Sequence, residues 1–151
     1  MTRPFIQSES GRERLLAVME SWLGTPFHAH AGIKSIGVDC VRLAAEIYKE
    51  AGLLEDCQFP AYAIDAGQHR EDSMLLEWLD ESPSFDRIEE GQEVGDLFCF
   101  RFGRSAHHLG ICAGGTRFIH ALLRRSVRYA SLDDPTYGRR LVATYRPVMK
   151  N

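Results

Sequence analysis

The chain is predicted to adopt an α+β fold in which helices near the start precede an antiparallel sheet. Two observations support this prediction. Apolar residues recur at helical spacing up to residue 52, and from Asp96 onward they alternate with a period of two. Helices followed by a run of strands are typical of α+β proteins with antiparallel sheets. A chain of 151 residues, 44% of them hydrophobic, suits a single domain over 1–151.

The first helix is predicted from about residue 11 to residue 23. Ser10 to Glu13 has the form of a capping box, and Gly24 stands where helices commonly end in the left-handed conformation. Between these positions lies an apolar stripe formed by Leu15, Leu16, Met19, Trp22 and Leu23. We expect this stripe to face the core.

The second helix is predicted to follow Asp39, which is a good N-cap residue, and to close at Gly52. Cys40 shares one face of this helix with the residues at i+3, i+4 and i+7, which are Leu43, Ala44 and Ile47. The thiol should therefore point toward the core that the helix covers.

Residues 57–94 are the least readable third of the chain. Pro60 and Pro83 interrupt it, and it contains one helical stripe, formed by Met74, Leu75, Trp78 and Leu79. We interpret 57–94 as a variable segment that covers the domain.

The predicted strands lie at 97–102, 107–112, 117–122, 126–130 and 141–146. A three-residue loop over 113–115 joins the second strand to the third. That loop sets the cross-strand pairs Cys112 with Thr116, Gly110 with Phe118, and His108 with His120. His108 and His120 should then share one face, and Gly110 should leave room there for the start of the second helix.

Cys40 is the candidate nucleophile. Unpaired backbone N–H groups at a helix start favour a thiolate over a thiol. A thiolate in acyl transfer also needs an imidazole, and a polar group to hold that imidazole in one tautomer. His108 and His120 can supply both. The remaining cysteines lack such a setting and are predicted to be structural free thiols: Cys57, Cys99 and Cys112.

Two of these histidine assignments have alternatives. His107 and His108 cannot both face the thiol, because adjacent strand residues point to opposite sides. His108 is preferred because it has the parity of Gly110, and His107 would face the other side. His120 has a simpler interpretation as a half-buried strand histidine bonded to a carbonyl.

The loop before the second helix carries His28 and His30. Two histidines could ligate zinc, but zinc needs at least a third protein ligand, and this spacing is not diagnostic. We therefore predict no metal and no cofactor, and expect His28 and His30 to line a substrate cleft.

Charge and hydropathy exclude other classes of protein. The formal net charge is −3 and no basic face is evident, so nucleic acid is not expected as a partner. The chain has no apolar run suited to a signal peptide or a membrane span. We expect it to be made in the cytoplasm.

Five segments, in this order, are similar to motifs of the NlpC/P60 family of papain-like cysteine peptidases. They are Trp22 to Phe27, Val38 to Cys40 with a helix ending at Gly52, Gly95 to Phe100, His108 to Ile111, and Phe118 to Ala121. The resemblance is to the compact form found among phage and prophage tail-associated proteins.

The resemblance implies a papain-like fold and a role for each site residue. Cys40 would be the nucleophile, His108 the base and His120 the residue that orients the base, while Asp39 would help to bind substrate. Members of the family usually cleave amide bonds in peptidoglycan stem peptides, often the bond from D-glutamate to the diamino acid. A phage tail protein would be an implied partner, and delivery with a virion an implied route to the cell wall.

One departure from the family pattern follows the cysteine. The family commonly has Ser-Gly-Leu there, whereas this chain has Val41-Arg42-Leu43, so substrate contacts made by that serine do not carry over. Arg42 is a candidate for binding a substrate carboxylate, with a solvent-facing position as the alternative. Two other functions stay open: an acyltransferase using the same three residues, and an inactive tail-assembly or binding module.

Overall fold

The computed structural model describes residues 2–4, 8–54, 59, 74–103 and 105–150, with the backbone alone for 2–4, 105–107 and 149–150. The elements are β1 (Thr2–Pro4), α1 (Glu9–Trp22), β2 (Gly32–Ile33), β3 (Gly37–Val38), α2 (Cys40–Glu50), α3 (Met74–Glu81), β4 (Phe85–Ile88), β5 (Leu97–Phe102), β6 (Ser105–Gly114), β7 (Arg117–Ala121), β8 (Val127–Ser131), α4 (Pro135–Gly138) and β9 (Leu141–Lys150).

The predicted α+β architecture is confirmed. Seven of the described strands form one antiparallel sheet in the order β1-β9-β5-β6-β7-β8, with β4 also paired to β9. The short strands β2 and β3 form a separate hairpin just before α2. The single-domain organisation over 1–151 stays a prediction.

Helix α1 begins earlier than the sequence predicts. Ser8 is the N-cap, and its Oγ accepts a hydrogen bond from the backbone N–H of Gly11 at 3.1 Å. The predicted capping box at Ser10 is therefore wrong, because an equally good cap two residues earlier already starts the helix. The predicted end is close: Trp22 is the last residue, Leu23 is 40% exposed, and Gly24 follows with φ of 86°.

Helix α2 places the thiol as expected. Asp39 has an extended backbone, and its Oδ1 accepts a hydrogen bond from the backbone N–H of Arg42 at 2.7 Å. The helix ends at Glu50, and Gly52 follows with φ of 77°. The predicted core-facing residues are all buried: Cys40, Leu43, Ala44 and Ile47.

The two faces of the sheet bury different kinds of side chain. One face, here called the aliphatic face, shares a core with α1 and α2 through Leu97, Cys99, Leu109, Ile111, Ile119 and Ala121. The opposite face, here called the aromatic face, buries Phe98, Phe100, Cys112 and Phe118. Strand alternation places His108 and His120 on the aromatic face, where they contact the phenylalanine rings.

The register of β6 and β7 differs from the prediction by two residues. Gly110 lies opposite His120, because a bulge between Cys112 and Gly114 and a tight turn at 115–116 replace the three-residue loop. Gly114 and Gly115 have φ of 130° and 57°, which glycine tolerates. A slip of two residues keeps each side chain on its face, so both histidines still share one face, as diagonal neighbours.

Gly110 does not receive the start of α2, so that prediction is wrong. A Cβ on Gly110 would lie 2.6 Å from Cδ2 of Phe118, which shows that the Phe118 ring fills this space. Helix α2 packs instead on the aliphatic face. Even-numbered residues in the middle of β6 lie on the aromatic face of the sheet. Gly110 therefore has an aromatic ring as its neighbour and not α2, which packs on the other face.

The segment between α2 and β5 is described in part. Helix α3 buries Leu75 and Leu79, whereas Met74, predicted on the same stripe, is 39% exposed. Phe59 packs on Trp78 with ring centroids 5.1 Å apart. Residues 55–58 and 60–73 lie outside the described residues, so the covering role of 57–94 and the state of Cys57 stay predictions.

Candidate active site

Cys40 is the first residue of α2, and Asp39 fixes the backbone on both sides of it. Oδ1 of Asp39 caps the helix through Arg42, and Oδ2 accepts a hydrogen bond from the backbone N–H of His30 at 2.7 Å. The carboxylate is only 3% exposed. Asp39 therefore ties the loop that carries His30 to the helix that carries the thiol.

Burial dominates the electrostatics of Cys40. It raises the pKa of the thiol to about 12, and the nearby charge of Asp39 acts in the same direction. Backbone hydrogen bonds from Leu109, Val41 and Cys40 itself oppose the rise without cancelling it. Burial therefore acts against the predicted preference for a thiolate, and its effect exceeds that of the backbone amides at the helix start. The activation of Cys40 stays a prediction. Cys40 is a neutral thiol near pH 7.

His108 and His120 form a hydrogen-bonded pair. Nε2 of His108 lies 2.8 Å from Nδ1 of His120, and the two residues are 5% and 0% exposed. Burial lowers the pKa of His120 to about 4, with a smaller contribution from the positive charge of Arg128. His120 is thus a neutral imidazole at pH 7, and one nitrogen of this close contact carries the shared proton.

A pocket of about 240 Å³ brings the nucleophile and the base together. Cys40 and His108 both line it, and the remaining lining is apolar: Phe27, Phe102, Ala121, Leu122 and Leu123. Cys40 belongs to the core on the aliphatic face and His108 lies on the aromatic face, and both line this pocket. A group bound there lies against both the thiol and an imidazole.

The residues predicted to bind substrate are not among those that line this pocket. His28 and His30 are exposed, and Arg42 is half-buried beside the hairpin residue Gly32. Both oxygens of Asp39 are occupied by backbone donors. Their substrate roles stay predictions.

The apolar lining was missed in the sequence. Phe102 continues the alternation of Phe98 and Phe100 on β5, yet it lines the pocket, and its ring lies edge-on to that of His108 with centroids 5.3 Å apart. Leu123 is 57% exposed directly after β7. Two leucines directly after a predicted strand that carries a candidate catalytic histidine are the sequence feature that could have indicated this apolar lining.

His107 lies at a β-bulge. Phe100 pairs with His108 and Arg101 pairs with Ala106, so His107 is the extra residue between them. Strict alternation does not apply across a bulge, and bulges often redirect a side chain near functional sites. The His107 side chain is outside the described part of the chain, so its predicted face is untested.

Two further features of the described residues concern metals and membranes. No three His, Cys, Asp or Glu side chains within the described ranges are grouped in a way that could hold a metal ion. No helix in the same ranges is long and apolar enough to cross a bilayer.

These observations together define an α+β domain with a thiol at a helix start and a histidine pair on the adjoining sheet. A model of the NlpC/P60 family matches residues 24–146, and the chain belongs to that family. The match includes every residue of the proposed catalytic set: Cys40, His108 and His120.

Three known proteins illustrate the relationship. The probable endopeptidase of Haemophilus influenzae is 25% identical over 120 residues, which cover 78% of this chain and 63% of the relative. The murein DD-endopeptidase MepS/murein LD-carboxypeptidase of Escherichia coli K12 is 23% identical over 129 residues, covering 85% and 59%. The crystal structure of an NLP/P60-family protein from Staphylococcus aureus, described as similar to lipoprotein, superposes with a TM-score of 0.62 at 19% identity, covering 97% and 44%.

The chain spans about three fifths of the length of the two curated relatives. The structural similarity is at low sequence identity and establishes the fold.

Proposed function

We propose that the protein is a cysteine hydrolase that cleaves amide bonds in peptidoglycan stem peptides. One observation supports this most directly: Cys40 and His108 line the same pocket, and Nε2 of His108 is hydrogen-bonded to Nδ1 of His120 at 2.8 Å. A nucleophile, a base and an orienting residue are the parts that acyl transfer through a thiol requires.

The raised pKa of Cys40 defines how the reaction would start. Because the resting thiol is neutral, His108 takes its proton as the sulfur attacks the substrate carbonyl. The negative charge that develops on the carbonyl oxygen is stabilised by the backbone N–H of Cys40 at the start of α2. His108 then gives the proton to the leaving amine, and an acyl-thioester remains on Cys40. Water, deprotonated by His108, hydrolyses the thioester and restores the thiol.

The family relationship directs the choice of substrate. Two relatives are named as endopeptidases, one of them a murein DD-endopeptidase. We propose the bond from D-glutamate to the diamino acid as the scissile bond, because the chain resembles family members with that specificity. The aliphatic γ-glutamyl chain suits the apolar lining of the pocket. Arg42 is the candidate partner for a stem-peptide carboxylate.

Digestion of purified peptidoglycan followed by mass spectrometry of the soluble muropeptides tests this function. Hydrolysis gives new amine and carboxyl termini, and their masses identify the bond. Cys40→Ala is the matched control, and activity should survive EDTA, since a thiol nucleophile needs no Lewis acid. Products that vanish with EDTA and return with zinc would contradict the cysteine mechanism.

An acyltransferase is the second candidate, and the apolar lining beside the thiol favours it specifically. Such a pocket could hold an acyl chain that passes from Cys40 to an amine or lipid instead of water. Incubation with stem peptide and an added amine distinguishes the two: transfer gives the amide of that amine, and hydrolysis the free acid. A chain that does neither while binding a tail protein would be a binding module.

We also propose that the protein reaches the cell wall with a phage or prophage tail after synthesis in the cytoplasm. The family resemblance is the support for this route. Mass spectrometry of purified virions from an induced lysogen tests it, and absence of the chain from intact particles would contradict it.

A further inference from the structure

The second ring nitrogen of His120 has an unusual environment. Nε2 is shielded from solvent and makes no hydrogen bond to any residue within the described ranges. The side chain as a whole is 0% exposed. Buried polar atoms normally have a partner, so this nitrogen calls for an explanation.

Two aromatic rings contact His120 in addition to the His108 imidazole. The Phe118 ring lies 5.0 Å from its centroid at 67°, and the Tyr137 ring lies 5.1 Å away at 87°. Phe118 precedes His120 by two residues on the same strand, whereas Tyr137 comes from α4. Tyr137 also contacts the rings of Phe100, Phe102 and Phe118.

The short helix α4 is constrained to present this ring. Oδ1 of Asp134 accepts a hydrogen bond from the backbone N–H of Thr136 at 2.9 Å, and Pro135 opens the turn. A Cβ at Gly138 would collide with the carbonyl oxygen of Leu132, so the chain passes close to β8 immediately after Tyr137. These constraints fix where the Tyr137 ring lies.

The surroundings of Nε2 discriminate between the two tautomers of His120. In the first, His108 donates from Nε2 to Nδ1 of His120, which carries its own proton on Nε2. In the second, His120 donates from Nδ1 and leaves a bare lone pair on Nε2. An aromatic face is electron-rich, so it attracts an N–H and repels a lone pair. The aromatic surroundings therefore favour the first tautomer.

Only the first tautomer leaves His108 able to act as a base. When His108 donates from Nε2, its Nδ1 is unprotonated and can accept the thiol proton. We propose that Tyr137 is a positioning residue whose ring covers Nε2 of His120, selects the Nε2-protonated form and thereby keeps His108 in its working tautomer. This role rests on the proposed cysteine hydrolase function.

Three titratable or charged groups from other elements approach His120 among the described residues. His108 faces it from β6, Arg128 lies directly opposite on β8, and Tyr137 covers it from α4. Burial and Arg128 both lower the pKa of His120. Removal of the Tyr137 ring would admit water beside Nε2, so the pKa of His120 should rise and both tautomers should become populated.

Long-range ¹H–¹⁵N NMR of the full chain at pH 7 tests the proposal, because it distinguishes protonated from bare ring nitrogens. Wild type and Tyr137→Phe should show His120 protonated on Nε2, and Tyr137→Leu should show a mixture that titrates at higher pH. Phe98→Leu is the matched control, since Phe98 packs in the same aromatic cluster without a ring contact to His120. It should retain the wild-type tautomer.

Activity gives a second measurement. Tyr137→Leu should lower kcat about tenfold and change KM less. A tenfold loss is part of the ~10²–10⁴-fold that general acid–base catalysis contributes to the rate. Tyr137→Phe keeps the aromatic ring and should therefore retain most of the wild-type kcat.

Several results would overturn the proposal: a wild-type His120 protonated on Nδ1, or a Tyr137→Leu variant with the wild-type tautomer and titration. If Tyr137→Leu does not fold, the wild-type spectrum still tests the proposal, because it shows which ring nitrogen of His120 is protonated. A nuclear Overhauser contact between the Nε2 proton of His120 and the Tyr137 ring supports the proposal, and its absence contradicts it. Because the NMR measurements need no substrate, an inactive wild type with the expected tautomer would count against the proposed function alone.

Discussion

The two faces of the sheet divide the proposed catalytic work between them. The aliphatic face packs on α1 and α2 and so fixes the helix that begins with Cys40. The aromatic face surrounds His108 and His120 with rings. Cys40 and His108 nevertheless line the same pocket. Aliphatic packing positions a backbone element, whereas aromatic packing also controls the protonation of the groups that it encloses.

The largest effect on activity should come from removing either the thiol of Cys40 or the imidazole of His108. Cys40→Ala and His108→Ala should each lower kcat/KM roughly 10³-fold or more, because nucleophile and base act as a unit. Circular dichroism should show that both variants fold, with a lower melting temperature for His108→Ala because Nδ1 of His120 loses its hydrogen-bond partner. His107→Ala is the neighbouring control and should act mainly on stability. An inactive His107→Ala with a normal melting curve would show that the assignment of His108 is mistaken.

Alkylation of Cys40 tests how its burial controls its charge. With a thiol pKa near 12, the reactive thiolate fraction rises about tenfold per pH unit, so the iodoacetamide rate should increase roughly 100-fold from pH 7 to pH 9. Cys99 and Cys112 should remain unlabelled because both are 0% exposed. A rate that is independent of pH across this range would indicate a preformed thiolate–imidazolium pair and would contradict the neutral resting thiol.

Substitutions of His120 test whether it orients the His108 ring through a hydrogen bond or only fills space on the aromatic face. His120→Asn keeps an amide oxygen that can accept the His108 N–H, so it should lose about tenfold in kcat, and His120→Ala should lose about 100-fold. The comparison is made on variants with matched folded fractions by circular dichroism. Equal rates for the two variants would remove His120 from the catalytic set.

The same histidine should make the protein less stable in acid. Its pKa is about 4 in the folded chain and ~6.5 when unfolded, so the unfolded state binds more protons between these values. Stability is complete above pH 6.5 and falls as pH drops toward 4, by about 3 kcal/mol from this group. Urea denaturation at several pH values measures the loss. His120→Asn should show a flatter profile, and a profile as steep as wild type would assign the acid sensitivity to other groups.

The sequence was sufficient to predict α1, α2 and the five longer strands from residue 97 onward, but not the short elements β1, β2, β3, β4 and α4. For the predicted strands it also indicated which residues share a face. Period-two alternation identified β5, β6 and β7, and Asp39 identified the start of α2. The face on which a strand residue lies depends only on whether its position is odd or even. The register error of two residues therefore left each side chain on its predicted face. This is why the pairing of His108 with His120 could be anticipated although their alignment was wrong.

Features that depend on three-dimensional closeness were not accessible in the same way. The Phe118 ring beside Gly110 depends on the bulge that sets the β6–β7 register, which alternation does not reveal. The contact of Tyr137 with His120 and the desolvation of Cys40 arise from packing between different elements of the fold. Helix-start chemistry favours a thiolate, but only the folded structure shows how much water the site excludes. A local motif therefore indicates which groups react, and the packing around them sets their charge.

The smallest effect should distinguish the two roles open to Asp39, the residue that precedes the pocket residue Cys40. Its oxygens cap α2 and hold the backbone of His30, so Asp39→Ala should lower the free energy of unfolding by about 1–2 kcal/mol. Ser8→Ala removes the cap of α1 and is the matched control, with a loss of about 1 kcal/mol. If Asp39 acts only on the backbone, both variants should keep KM within about twofold of wild type, because neither removes a substrate contact. A KM that rises about tenfold in Asp39→Ala alone, with the variant fully folded, would instead mean that the carboxylate binds substrate, as the family resemblance implies.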